Sequence, residues 1–206
     1  MDTQRPKKRN AAILAIVMGV FSPAYADSLY TYGGPFDLPI PAQPHDTKGW
    51  MDDAIVNVTQ HILIGDLDAR ISLTHTNVFD LKIFLQSPTG TKLCLNSYDL
   101  DEFFVGSGYI HTVFDDEADV PIEQAAPPFT GRFRPRTPGV LDIFDGRDAY
   151  GPWRLQVYDA HWWDTGTLNS FELIITTPEP ATVILLVLGA TLMRLYNRPG
   201  NLKNNQ

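Results

Sequence analysis

Between Asp27 and Thr177 the apolar residues repeatedly fall on alternate positions, and no long stretch shows the three-to-four spacing of a helix face. Leu67, Ile71 and Leu73 share one parity, as do Leu81, Ile83 and Leu85, the pair Leu93 and Leu95, Trp153, Leu155 and Val157, and Phe171, Leu173 and Ile175. In an extended chain successive side chains point to opposite faces, so each run makes a strand with one face for a core and one for water. Helices should be scarce here.

Turn chemistry separates these runs. Ser87-Pro88-Thr89-Gly90 lies between two of them, with a proline to set φ and a glycine to accept a positive φ, and predicts a hairpin. Asp164-Thr165-Gly166 precedes the last run, and Asp145-Gly146 and Tyr150-Gly151-Pro152 mark the loop before Trp153. Short strands at this spacing over about 150 residues predict an all-β fold, a sandwich of two antiparallel sheets. The proline-rich stretch from Pro35 to Pro44 reads as a lead-in strand or linker, so residues 27–49 precede the sandwich proper at 50–177.

The single Cys94 excludes an internal disulfide framework and any cysteine-based zinc or iron–sulfur site within one chain. A metal would have to be held by oxygen. The ends carry seven of the 16 bases and two of the 24 acids, leaving 22 acids against nine bases, or −13, between residues 27 and 177. Such a surface repels nucleic acid and attracts cations.

The two ends read as addresses. Arg5, Lys7, Lys8 and Arg9 precede the apolar stretch 11–21, and Ala24-Tyr25-Ala26 offers small residues at a cleavage site, so residues 1–26 are expected to be a secretory signal. The alternative is an uncleaved anchor. At the other end Pro178-Glu179-Pro180 precedes the apolar residues 181–193 and Arg194. At ~1.5 Å per residue that stretch is marginal for a ~30 Å hydrocarbon core, and Leu195 and Tyr196 would lengthen it. Residues 178–206 resemble the PEP-CTERM sorting signal of Gram-negative bacteria, although Arg194 and Arg198 are separated and a polar extension follows. The resemblance implies a short C-terminal membrane helix, processing by an exosortase-type enzyme, and delivery to the cell envelope or the extracellular polysaccharide matrix. A plain C-terminal anchor is the alternative.

Two features of the middle carry chemistry. Asp115, Asp116 and Glu117, with Asp119 beyond, end a strand after Phe114, and carboxylates so close repel unless a cation or solvent intervenes. A calcium ion takes six to eight oxygens, which a strand-end loop can supply, and Asp115, Asp116 and Glu117 are the candidate ligands. A solvated turn whose aspartates cap backbone N–H groups is the other reading. Asp99, Asp101 and Glu102 form a second acidic stretch, read as a solvated loop. Trp162 and Trp163 stand together in a polar loop between Asp159 and Asp164. They offer a binding surface for glycan rings or a partner, or else close one end of the core near Trp153. Arg132, Arg134 and Arg136 alternate and could pair with the acidic loops. His45, His61, His75, His111 and His161 accompany no nucleophile motif and read as packing or surface residues.

The order of the elements is more specific than any one of them. Leu73-Thr74-His75-Thr76, Asp80-Leu81-Lys82-Ile83, Ser87-Pro88-Thr89-Gly90, Phe114-Asp115-Asp116-Glu117-Ala118, Phe129-Thr130-Gly131-Arg132, Leu141-Asp142-Ile143-Phe144-Asp145-Gly146, Gly151-Pro152-Trp153 and Asp164-Thr165-Gly166 follow in series. Over roughly residues 50–176 this resembles the P domain, or P/Homo B domain, that follows the subtilisin-like catalytic domain in kexin-like proteases. Phe79 stands before Asp80-Leu81 where glycine is commoner, and Phe171 where tryptophan is frequent. The resemblance implies a jelly-roll β-sandwich, calcium in some bacterial members, and a non-catalytic companion to a serine endopeptidase. About two dozen residues separate the expected signal from the sandwich, too few for a catalytic domain, so the chain is expected to act by contact. Its expected partners are a separate protease or an envelope polysaccharide.

Overall fold

The alternating runs form ten strands in two layers. The computed structural model describes residues 28–42, 48–98, 107–136, 138–178 and 188–194. The chain divides into two units, residues 27–178 and the pooled ends 1–26 and 179–206. In the first unit the strands are β1 (Leu29–Ile40), β2 (Gly49–Trp50), β3 (Ala54–Val58), β4 (Asp66–His75), β5 (Leu81–Gln86), β6 (Lys92–Ser97), β7 (Tyr109–Phe114), β8 (Phe129–Phe133), β9 (Gly151–Asp159) and β10 (Gly166–Thr176). One sheet has the order β1-β10-β4-β7-β8, and the other the order β2-β9-β5-β6, with β3 also paired to β9.

The parity read from the sequence decides what is buried. Leu67, Ala69, Ile71 and Leu73 of β4 and Phe171, Leu173 and Ile175 of β10 face inward from one sheet. Leu81, Ile83 and Leu85 of β5 and Trp153, Leu155 and Val157 of β9 face them from the other. Each of these side chains is almost wholly buried, and burying one apolar side chain of this size contributes about 1.5–3 kcal/mol. Trp153 also has its indole N–H satisfied by the Ala149 carbonyl at 2.8 Å and packs edge-on against Phe144 with ring centres 5.0 Å apart.

The predicted hairpin joins β5 to β6. The Gly90 N–H donates to the Ser87 carbonyl at 2.9 Å, Gly90 has φ +87°, and Ser87 Oγ accepts from the Thr91 N–H at 3.2 Å. The lead-in stretch is a strand of the fold: β1 pairs with β10 along nearly its whole length, and Tyr30, Tyr32, Phe36 and Leu38 pack on the core. Pro35 and Pro39 are tolerated because β1 is an edge strand, where a missing donor costs no ladder bond. Gly33, at φ +123°, lets β1 approach β10, since a Cβ there would collide with the Phe171 carbonyl oxygen.

One expectation needs correction. The sheets are not antiparallel throughout, because β7 and β8 pair in parallel, with Tyr109 opposite Phe129 and Phe114 opposite Phe133. A parallel pair requires a crossover, and residues 115–128 supply it. Of the expected membrane helix the described part is a helical stretch at 188–194, with exposed side chains, and the rest lies outside the described residues. No helix among the described residues is long and apolar enough to cross a membrane. The expected signal at 1–26, most of the sorting segment, His45 and the acidic stretch Asp99, Asp101 and Glu102 lie outside the described residues.

Trp153→Ala is expected to cost about 3–5 kcal/mol, the usual range for emptying a large aromatic site. Urea unfolding followed by circular dichroism measures it.

Candidate functional site

β4 runs from Asp66 to His75, about 30 Å at ~3.3 Å per residue, and polar clusters sit at its two ends. At the Asp66 end, Asp68 on β4 and Asp115 just past β7 are both buried, and both meet Arg132 of β8. Arg132 Nε donates to Asp115 Oδ2 at 2.5 Å, and one terminal nitrogen donates to Asp68 Oδ2 at 2.6 Å. Parallel pairing sets Arg132 beside Val113, which brings the guanidinium to both carboxylates. The expected pairing of the arginine run with an acidic loop is therefore made by Arg132. Arg134 instead donates to the Ala118 and Asp119 carbonyls, and Arg136 lies over the Tyr98 ring.

Of the candidate calcium ligands, Asp115 and Glu117 bring their carboxyls into contact, while Asp116 turns to Asp142. Asp115 Oδ1 accepts from the Glu117 N–H at 2.8 Å while Oδ2 is taken by Arg132, and Asp116 Oδ2 accepts from the Asp142 N–H at 2.9 Å. These are the backbone-capping contacts of the alternative reading. Among the described residues no three His, Cys, Asp or Glu side chains form a metal-binding group. Asp115 has both oxygens engaged by protein donors. Other carboxylates crowd this end: Asp142 acts repulsively on Asp66, Asp116 and Asp145, and Asp66 and Asp116 act likewise on Asp145. Asp116 and Asp142 also line an open groove of about 470 Å³ with Glu123, Arg134, Pro138 and Val140.

Charge and burial set the titration of this end. Burial pushes the Asp115 carboxyl up, but the bonds from Arg132 and Glu117 outweigh it and hold it below the usual carboxylate range. Asp68 goes the other way: burial pushes it up to about 6 despite Arg132, and its Oδ1 finds no partner. Burial, then repulsion from Asp142, Asp66 and Asp116, pushes Asp145 up to about 6. Contact with the Asp115 carboxyl, then burial, pushes Glu117 up to about 7.

At the His75 end, the loop 160–165 carries Trp162 and Trp163. They are 55% and 76% exposed, and Trp163 has φ +78°, a conformation that L residues rarely adopt. Neither ring closes the core, whose Trp153 is covered by Phe144 and Ala149. Beneath the loop lies a polar group that sequence reasoning did not assemble. His75 and Asp159 are fully buried as side chains, with Nε2 3.2 Å from Asp159 Oδ2, and Asp80 is buried beside them. The signal was present in the polar residues of Asp80-Leu81 and in the spacing of Asp159 and Asp164, but their proximity needs three separate segments.

The remaining histidines make simpler contacts. His61 stacks on Tyr150 and pairs with Asp148 at 2.6 Å, both exposed. His111 has φ +50° at a register shift, where its N–H donates to Ser72 Oγ at 3.0 Å. Ser72 Oγ lies 3.3 Å from His111 Nδ1. Among the described residues no hydroxyl or thiol shares a hydrogen bond with a histidine that also holds a carboxylate, the relay a serine nucleophile needs.

The proprotein convertase P-domain profile matches residues 64–175, from just before β4 to the end of β10. The chain belongs to the P-domain family. No curated protein matches it. The crystal structure of a serine protease of Aeromonas sobria is similar to this P domain at 17% identity and a TM-score of 0.45, over 79% of this chain and 29% of that one. The complex of Aeromonas sobria serine protease (ASP) with the chaperone ORF2 is similar at 18% identity and a TM-score of 0.44, over 74% and 27%. The chain thus spans under a third of the length of either.

Two outcomes are expected of this P domain. Arg132 is 53% exposed but its partners are buried, so Arg132→Met should cost between the ~1 kcal/mol of an exposed pair and the ~3–5 kcal/mol of a broken buried one, read by urea unfolding. Asp68, Asp145 and Glu117 bind protons more tightly folded than unfolded, so their contribution is fully present below about pH 4 and is lost as pH rises through about 6–7. Asp115 works in the opposite sense, losing its contribution as pH falls below the ordinary carboxylate range. Melting temperature should therefore fall between pH 5 and pH 7.5, and Asp145→Asn should flatten that fall.

Proposed function

We propose that this P domain is an exported, non-catalytic interaction module, working by contact at the envelope of a Gram-negative bacterium or in its polysaccharide matrix. The observation that carries the reading is the Trp162–Trp163 pair. Two large apolar side chains stay in water side by side, and Trp163, on a strained backbone, is the most exposed aromatic ring among the described residues. Such exposure costs free energy and is characteristic of a contact surface. Family membership makes a subtilisin-like serine endopeptidase the first candidate partner, with this chain as its accessory domain in trans.

The export reading rests on residues 1–26 and on the PEP-CTERM-like segment, with an exosortase-type enzyme as processor and the membrane as transient anchor. Intact-mass measurement of the protein from the native envelope should show loss of both ends; a full-length mass removes this part of the reading. Calcium enters only as a counter-ion for carboxylates that Arg132 leaves uncompensated, with Asp116 as its central ligand. Calcium at pH 7.5 should then raise the melting temperature, and Asp116→Asn should abolish the rise.

The contact reading is tested by crosslinking in the native envelope. Wild-type protein should recover a separate protease, and the Trp162→Ala/Trp163→Ala double variant should not. Recovery of a polysaccharide in its place would favour glycan binding, and equal recovery by both proteins would end the assignment of the tryptophans. The purified protein should leave generic peptide substrates uncut.

A further inference from the structure

We propose that the outward face of the β2-β9-β5-β6 sheet binds an anionic polysaccharide, with Trp50, Phe84 and Tyr158 receiving sugar rings and Lys92 receiving a carboxylate. Neither Trp162 nor Trp163 belongs to this site, which therefore goes beyond the reading of their loop as a contact surface.

Strand parity builds the face. Trp153, Leu155 and Val157 of β9 and Leu81, Ile83 and Leu85 of β5 point into the core, so Arg154, Gln156 and Tyr158 and Lys82, Phe84 and Gln86 point out. Register then sets the neighbours: Trp50 lies opposite Tyr158, Phe84 opposite Gln156, and Gln86 between Arg154 and Lys92. The Trp50 ring centre is 4.9 Å from that of Tyr158 and 6.0 Å from that of Phe84. Trp50 is 48% exposed and the other two rings are half-buried, so a continuous aromatic surface meets water. Across it lies the exposed Lys92, whose Nζ is 4.8 Å from the Trp50 ring centre and 4.4 Å from that of Phe84. The rings hold this cation in place but cannot neutralise it, and it makes no ion pair among the described residues. Asp53, in the β2–β3 connection, is engaged elsewhere, accepting from Arg154 at 3.1 Å and from Gln156 at 3.0 Å.

Charge decides the sign of the ligand. Outward positions of these strands carry three of the nine bases of residues 27–177, Lys82, Lys92 and Arg154, and none of the 22 acids. At physiological salt, charges beyond ~8 Å are screened, so a ligand here meets these cations before the net −13 of residues 27–177. Size and shape decide its class. Four strands ~4.8 Å apart and the six residues of β5 at ~3.4 Å each make a face of about 300 Å², against about 800 Å² per side in a standard protein interface. A bilayer is met by side chains that reach about 5–10 Å into it, whereas Phe84 and Tyr158 are half-buried on the sheet. Single-stranded nucleic acid needs a basic groove along its backbone, and three bases spread over a sheet do not make one. A uronic acid fits both features: the C–H face of its ring suits the π cloud of an aromatic side chain, and its carboxylate is the counter-ion Lys92 lacks.

Calorimetric titration of the intact protein with polygalacturonate, at physiological salt with a chelator present, tests this. The methyl ester keeps the rings and removes the charge, and polyglutamate keeps the charge and removes the rings; both should bind more weakly than polygalacturonate. Trp50→Ala should weaken binding about tenfold, with circular dichroism to check its fold. Lys92→Gln, at an exposed position that the core does not need, should weaken it about threefold to fivefold and reduce its salt dependence. No binding, equal binding of the acid and its ester or of polygalacturonate and polyglutamate, or undiminished affinity in either variant would overturn the proposal. So would tighter binding of a thymidine oligonucleotide or of phosphatidylserine vesicles. The Trp162→Ala/Trp163→Ala double variant should bind polygalacturonate as the wild type does. If it does not, the site is the loop and this assignment fails; if it loses only its protein partner, the sheet face stands.

Discussion

Two stacked sheets are stable only if each strand turns one unbroken row of apolar side chains into the gap between them, because a polar side chain in that row costs more than one hydrogen bond returns. Here the rows from β4 and β10 meet those from β5 and β9, with Trp153 and Phe171 as the largest fillings. The rows set which residues are left over. Side chains at the strand ends and in the connecting loops carry nearly all the chemistry, and they collect at the two ends of β4.

Each end solves the same electrostatic problem differently. At the Asp66 end, two carboxylates taken out of water are held by one guanidinium, which takes one oxygen of each; the Glu117 N–H takes the other Asp115 oxygen, and the other Asp68 oxygen has no partner. Breaking such a group is costly even though forming it adds little. At the His75 end, an imidazole meets Asp159, and Asp80 is buried with one oxygen that meets no donor. The first arrangement pins the parallel β8 onto the sheet. The second lies beneath the exposed tryptophans.

How much could be read in advance follows from range. The strands β4, β5, β9 and β10, the hairpin at Ser87–Gly90 and the exclusion of cysteine chemistry depend on spacing within a few residues, and all were legible. The pairing of Arg132 with the acidic loop was legible as a charge expectation, but its second partner, Asp68, lies 64 residues away and carries no local sign. The parallel pairing of β7 with β8 was likewise invisible, since an alternating strand reads the same beside either kind of neighbour. Asp115, Asp116 and Glu117 suggested a cation because they are adjacent in sequence. In the fold the oxygens of Asp115 and Asp116 accept from an arginine and from backbone N–H groups.

Taken alone, the residue order determined the two-layer β architecture, the parity of its core and membership of the P-domain series, because alternation and turn chemistry act between near neighbours. Only the tertiary structure decided which charges are compensated, which carboxyls face each other, and that both loop tryptophans remain in water. Those outcomes depend on segments that meet across the sheets, and a contact between distant segments has free energy only once the chain has brought them together.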